Sequence, residues 1–215
     1  QWPSSAASDV YKRQQLYLLV IITALSCLPL KAEVTVKDLF FDESKPFHLK
    51  IIDVIPEEGI LQIGNDDAKN TIIEFMDYFC GYCKKVHVEL LQIANERKDT
   101  RIIFLQHPVL SESSKLLANM VVAANMQNKG IELHNALFGV EGNLNNAKLK
   151  QIIEELEINN AKLNIDMSKD EVRNIVSLSS FLANGSGARG TPTFFVNEEL
   201  VVGYISIERM KALLK

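Results

Sequence analysis

Thr71-Ile72-Ile73-Glu74-Phe75-Met76-Asp77-Tyr78-Phe79-Cys80-Gly81-Tyr82-Cys83 holds the change of pattern that decides the fold of this chain. Up to Phe79 the run is mostly apolar, as in a buried strand. From Lys84 to Glu96 the apolar residues Val86, Leu90 and Ile93 recur at helical spacing. A Cys-x-x-Cys set where a strand gives way to a helix reads as a redox site. The first cysteine lies among backbone N–H groups that the helix leaves unpaired, and the helix dipole favours its thiolate. A stabilised thiolate is a good leaving group, which makes the disulfide form oxidising. The second cysteine lies three residues on, one turn deeper on the same face, so the pair can close a short ring without large backbone movement.

Zinc is the competing use of such a pair, but a structural site needs four ligands. The chain has one other cysteine, Cys27, in a segment expected to be removed. His87, one turn after Cys83, could serve as a third ligand, whereas His48, His107 and His134 are scattered and supply no second pair. The expected metal set is therefore none, with His87 a partly buried helix residue.

Three segments precede the catalytic region. Residues 1–14 begin with Gln1 where an initiator methionine would stand, and Ser8 to Gln14 reads like a translated library adapter, so this piece is expected to be a non-native scar. Residues 15–32 read as a signal peptide: Leu16 to Leu28 is short for a membrane span, Pro29 breaks it, and Leu30-Lys31-Ala32 suits cleavage after Ala32. A retained membrane anchor at 16–28 is the alternative. Residues 33–58 form an N-terminal arm with Pro46 and Pro56, in which Phe47-His48-Leu49-Lys50-Ile51-Ile52 resembles a strand.

The chain from 33 onward carries 20 basic and 26 acidic residues, a balance that gives nucleic-acid binding no support. It also keeps only Cys80 and Cys83. An exported protein with one close cysteine pair uses it for chemistry, because so small a ring removes little entropy from the unfolded chain.

Beyond the motif, strands are expected at Thr71–Asp77, Arg101–Gln106, Thr193–Val196 and Leu200–Tyr204, with helices at 81–97 and 206–214. Between about 109 and 184 the pattern is helical. Four helices are marked by Leu116, Met120, Val121 and Ala124; by Leu133, Leu137 and Phe138; by Leu149, Ile152, Ile153 and Leu156; and by Val172, Ile175, Val176, Leu178 and Leu182. Asn143 to Asn146 and Asn159-Asn160 punctuate them. Gly185-Ser186-Gly187-Ala188-Arg189-Gly190 spells a dinucleotide-binding glycine motif, but it follows a helix and precedes a strand, the reverse of what that motif requires; it reads as a flexible connector. Strand, helix, strand, a long helical insert, two close strands and a final helix make an α/β thioredoxin fold with an inserted helical subdomain.

At this point the residues resemble a family, the DsbA-like exported bacterial thiol-disulfide oxidoreductases. The matching segments are Glu74-Phe75-Met76-Asp77-Tyr78-Phe79, Cys80-Gly81-Tyr82-Cys83 and Gly190-Thr191-Pro192-Thr193-Phe194-Phe195, within a likeness that spans roughly 59–215. Glu74 alternates with Ile72 and Met76, so a carboxylate stands where an interior residue is expected, and burial would raise its pKa toward neutrality. The resemblance implies the matching role, a buried acid that deprotonates Cys83; the bland reading is a solvent-facing or salt-bridged strand residue. It also implies a cis Thr191–Pro192 bond facing the disulfide, with the backbone of Thr191 free to pair with an extended substrate.

The function implied is a thiol-disulfide oxidoreductase that forms, reduces or isomerises disulfides in exported proteins, with Cys80 as nucleophile and Cys83 as resolving residue. No cofactor beyond the Cys80–Cys83 disulfide is expected. Unfolded or misoxidised exported proteins are the expected clients, a membrane redox partner the expected electron exchange, and the periplasm of a Gram-negative bacterium the expected location. Oxidase members commonly carry Pro-His between the cysteines, whereas Gly81-Tyr82 and Thr191 look more like the isomerase and reductase branch; the direction stays open. Isomerases of that branch are usually oligomers, which makes 33–58 a candidate homo-oligomerisation element. The contrasting reading is a metal carrier using Cys80, Cys83 and His87, or a surface interaction protein that keeps the fold without redox turnover.

Overall fold

Strand β2 (Asn70–Met76) is buried along its whole length, and this places it at the centre of the sheet. A computed structural model describes residues 45–215. The expectations for 1–14 and 15–32, and for the first part of 33–58, fall outside the described residues. Five strands run in the order β1-β3-β2-β4-β5, where β1 is Leu61–Ile63, β3 Thr100–Gln106, β4 Thr193–Val196 and β5 Glu199–Val202. The β2–β3 pair is parallel and the others are antiparallel. Glu74 lies between Phe104 of β3 and Phe194 of β4, in register with both.

Among the described residues eight helices surround this sheet: α1 (Phe47–Val54), α2 (Gly81–Glu96), α3 (Glu112–Asn125), α4 (Gly130–Gly139), α5 (Asn146–Glu155), α6 (Asn160–Met167), α7 (Asp170–Gly185) and α8 (Ile207–Ala212). Ile72, Phe104 and Phe194 pack with Val86, Leu90 and Ile93 of α2, and this core continues into α3 to α7. Ile73, Phe75, Ile103, Leu105 and Phe195 form a second core with Ile51 and Ile55 and with Leu182 and Ala183 of α7. The α/β thioredoxin fold with a helical insert is thus the architecture observed, the insert being α3 to α7.

Three local readings are corrected. Phe47 to Ile52 is part of a helix, not a strand. Phe47, Ile51 and Ile55 recur every four residues, the Pro46 carbonyl accepts from Leu49 and Lys50 N–H, and Pro56 keeps Ile55 extended and ends the helix. Ile51 is 1% exposed, so this part of the 33–58 segment completes the core beneath the sheet. The insert holds five helices rather than four. In α6 the apolar residues Leu163, Ile165 and Met167 alternate, and Ile165 faces solvent. This helix is fixed instead by its ends: Asn159 caps it by accepting from Lys162 N–H, and buried Asp166 pairs with Lys162 and Lys169. Strand β1, only three residues long, was not expected. Asn145, one of the predicted punctuation residues, caps α5 through Lys148 N–H.

Ile51→Ala tests whether α1 is integral to the fold. The expected loss is about 3 kcal/mol, typical of a large-to-small change in a closed core. Ile52→Ala, at a half-buried position, is expected to cost less than half of that; equal midpoints for Ile51→Ala and the unaltered protein in urea denaturation would overturn the assignment.

Candidate active site

Asp77 closes the central strand and builds the turn that presents the first cysteine. Its carboxylate is 1% exposed and accepts three backbone hydrogen bonds, from Phe79 at 2.8 Å, Val109 at 2.9 Å and Leu110 at 3.0 Å. Its own carbonyl accepts from Cys80 N–H at 3.0 Å. One side chain therefore holds both the approach to Cys80 and the loop that leaves β3. Aspartate is suited to this because its short carboxylate reaches backbone donors two residues on.

Cys80 is the N-cap residue of α2 and has extended backbone angles; its side chain caps no N–H, so the first-turn donors remain available to the sulfur. Both cysteines are free thiols, Cys80 half-buried and Cys83 buried. Cys80 Sγ donates to the Thr191 carbonyl at 3.2 Å. Once ionised that sulfur can only accept, and Thr191 Oγ1, buried without a partner, is a donor at hand. The Cys80 thiol is held down to about 5, first by the Cys83 thiol, against partial burial, and then by Thr191 and the N–H groups of Cys83 and Tyr82. Cys83 goes the other way: burial drives its pKa up, reinforced by Cys80 and by the charge of Glu74. One cysteine is prepared to be a thiolate and its neighbour to remain a thiol.

Glu74 is 0% exposed, and neither carboxyl oxygen has a hydrogen-bond partner at ordinary distance among the described residues. Burial pushes its pKa up to about 8; the Cys83 thiol works against this and the Cys80 charge adds to it. A carboxyl with that value can both give and take a proton near neutral pH. The solvent-facing reading of Glu74 is thereby removed.

The Thr191–Pro192 bond is cis, as the resemblance implied. Its loop is tied down on both sides, by Thr193 Oγ1 donating to Gly190 O at 2.8 Å and Gly203 N–H donating to Pro192 O at 2.9 Å. All five residues singled out for the site therefore lie around one centre: Cys80 bonds Thr191, Pro192 follows it, and Cys83 and Glu74 face each other in the interior.

His87 is more deeply buried than expected. Its ring stacks on Phe138 at 4.9 Å and meets His134 edge-on at 4.9 Å; burial lowers its pKa to about 4. His134 is held neutral in the same way and pairs through Nδ1 with the Tyr78 hydroxyl at 3.0 Å. Among the described residues, no three His, Cys, Asp or Glu side chains are grouped to hold a metal. Residues not singled out from the sequence include Asp77, whose signal was an aspartate at the end of an apolar strand, and Tyr78 and His134, which meet only in three dimensions.

A sequence model of the Thioredoxin family matches residues 57–215. The chain belongs to that family. Among solved structures, it is similar to a thioredoxin-like oxidoreductase from Silicibacter pomeroyi, with a TM-score of 0.68 and 30% identity over 72% of this chain and 90% of the other. It also shares its fold with the thiol-disulfide exchange protein alpha-DsbA2 of Wolbachia pipientis, with a TM-score of 0.64 and 22% identity over 83% and 89% of the two chains. A curated relative, a Na(+)/H(+) antiporter NhaA 1 of Salinispora arenicola, is 26% identical over 156 residues, which is 69% of this chain but 23% of the antiporter. The chain thus spans less than a quarter of the length of the curated relatives it matches. The architecture is one on which thiol-disulfide oxidoreductases are built, and the DsbA-like likeness read from the motifs holds for the fold. Among the described residues no helix is long and apolar enough to cross a membrane.

Glu74 makes a pH-dependent stability difference measurable. Its pKa is raised in the folded state, so its contribution is complete below the ordinary value of 4.5 and is lost as pH climbs through about 8. Glu74→Gln removes that loss. In urea denaturation of the reduced protein, the variant is expected to gain on the unaltered chain as pH rises from 4.5 to 8, by on the order of 3 kcal/mol. A difference that does not change with pH would contradict a buried, protonatable Glu74.

Proposed function

We propose that this protein is an exported thiol-disulfide oxidoreductase that forms, reduces or isomerises disulfide bonds in unfolded or misoxidised proteins. One observation carries the reading: two thiols of opposite character, Cys80 held down to about 5 at a helix terminus and Cys83 driven up in the interior beside Glu74. In the oxidising direction a substrate thiolate attacks Cys80 Sγ of the disulfide and expels Cys83 as a thiolate, which takes a proton from Glu74. A second substrate thiolate then attacks the substrate sulfur of the mixed disulfide and releases Cys80 as a thiolate. Two electrons pass from client to enzyme. In reverse, Cys80 thiolate attacks a client disulfide, Glu74 takes the Cys83 proton, and Cys83 attacks Cys80 to release the client as a dithiol. The disulfide is the only redox group these steps need.

Thr191 and Pro192 are the substrate-binding residues of this proposal. Proline offers no N–H, so an extended client strand pairs with the backbone of Thr191 and brings its cysteine to Cys80. The low Cys80 value favours the reduced enzyme and hence an oxidant, while Gly81-Tyr82 and Thr191 resemble the isomerase and reductase branch; a redox partner decides which way electrons flow. The proposed location is the periplasm of a Gram-negative bacterium, with a membrane redox partner, and occurrence of related sequence within antiporter chains supports a place beside the membrane. Nucleic acid is not a proposed partner, and homo-oligomerisation through 33–58 remains part of the proposal.

The test is thiol exchange itself. The reduced chain is expected to catalyse insulin reduction or scrambled-ribonuclease refolding, with Cys80→Ala inactive and Cys83→Ala trapping a mixed disulfide. Glu74→Gln is expected to slow resolution of the mixed disulfide about tenfold or more while leaving the first attack nearly unchanged, in line with loss of a general acid-base group. Failure of the unaltered protein to exchange disulfides with glutathione, insulin or ribonuclease would end this reading.

A further inference from the structure

Tyr82, between the two cysteines, is 61% exposed, yet its ring is not free. It stacks on Tyr204 with centroids 5.8 Å apart and planes 29° apart. Tyr204 belongs to the segment that follows β5, directly after Gly203, whose N–H is bonded to Pro192 O. Its phenol donates to Glu89 Oε1 at 2.8 Å, and Lys85 Nζ lies 4.1 Å from the centre of its ring. Tyr204 thus grips three residues of α2, Tyr82, Lys85 and Glu89, which share one helix face.

The start of α2 needs such a grip. Cys80 gives it no side-chain cap, and Gly81 occupies the first helical position, where an added Cβ would meet nothing within 4 Å. Glycine there supplies no packing and favours fraying. The N–H groups that bear on the Cys80 sulfur are those of Tyr82 and Cys83, within this weak turn. Stacking and cation–π contact both favour the closed form of such a terminal turn.

We infer that Tyr204 is a positioning residue that clamps the first turn of α2 to the cis-proline loop and so sets the oxidising strength of the Cys80–Cys83 pair. It acts through Tyr82 and touches neither sulfur. The inference rests on the redox function proposed above and adds a residue outside the Cys-x-x-Cys and cis-proline segments. The charged groups facing the clamp are Lys85 and Glu89, and Lys84 is engaged elsewhere by the Val140 carbonyl.

The experiment measures Cys80 ionisation by the ultraviolet absorbance of the thiolate, and the equilibrium with glutathione, in the full chain and in Tyr204→Ala, Tyr204→Phe, Tyr82→Ala and the double alanine variant. Tyr204→Ala is expected to raise the ionisation midpoint by about one unit, which makes the protein a roughly tenfold weaker oxidant at neutral pH. Tyr204→Phe keeps the stack and the cation contact and is expected to stay within about 0.2 unit of the unaltered chain. Because the two rings act as one device, the double variant is expected to shift no further than the larger single. Unchanged ionisation and glutathione equilibrium in a folded Tyr204→Ala overturn the inference, as do shifts that simply add. Should Tyr204→Ala fail to fold, Tyr82→Ala removes the exposed half of the stack, and no shift there is equally decisive against it. An unaltered chain whose Cys80 ionises as an ordinary thiol and ignores glutathione would instead defeat the proposed redox function.

Discussion

The carboxylate of Asp77 is the constraint on which this site depends. Buried at the end of the central strand, it gathers N–H groups from the segment leading into Cys80 and from the loop leaving β3. A charge-assisted hydrogen bond to backbone is stronger than a neutral one, and three on one group leave little freedom in either segment. Strand β2 fixes where Asp77 can be, Asp77 fixes where Cys80 can be, and α2 then fixes Cys83 one turn inward. The helical insert begins just past the same loop, so its attachment to the sheet is governed by the same contact.

The chemistry of the site arises from differences in burial over very short distances. Cys80 and Cys83 are three residues apart, yet one meets the open N–H groups of a helix terminus and the other faces an interior that already contains a carboxyl group. Placing Glu74 in a strand flanked by Phe104 and Phe194 is costly for its ionised form. That cost is what brings its proton affinity into the range useful to a thiol. In the proposed mechanism this locally unfavourable choice in the core is the functional one.

Much of this was legible in the sequence, and the exceptions have physical causes. Apolar β2, the amphipathic pattern of α2 and the Cys-x-x-Cys at their junction are local signals, and they marked strand, helix and the proposed nucleophile together. The paired Ile51-Ile52 disguised α1, whose period shows only when Phe47 and Ile55 are included and Pro46 and Pro56 are read as its limits. Helix α6 is held by a cap and by a buried aspartate paired with two half-exposed lysines rather than by an apolar stripe, so hydrophobic periodicity passed over it. Asp77 and Tyr204 work through partners 32 and 115 residues away, and no spacing along the chain announces such meetings. Glu74 was the reverse case, because its misplaced polarity was visible before its surroundings were.

The outer strands of the sheet carry one more consequence. β1 has three residues and β5 four, each paired on one side only among the described residues. Short margins give a stray polypeptide little to zip onto, which limits self-association through the rims. Under the proposed function, such margins leave an extended client few places to pair other than the backbone of Thr191, so capture and chemistry would share one address.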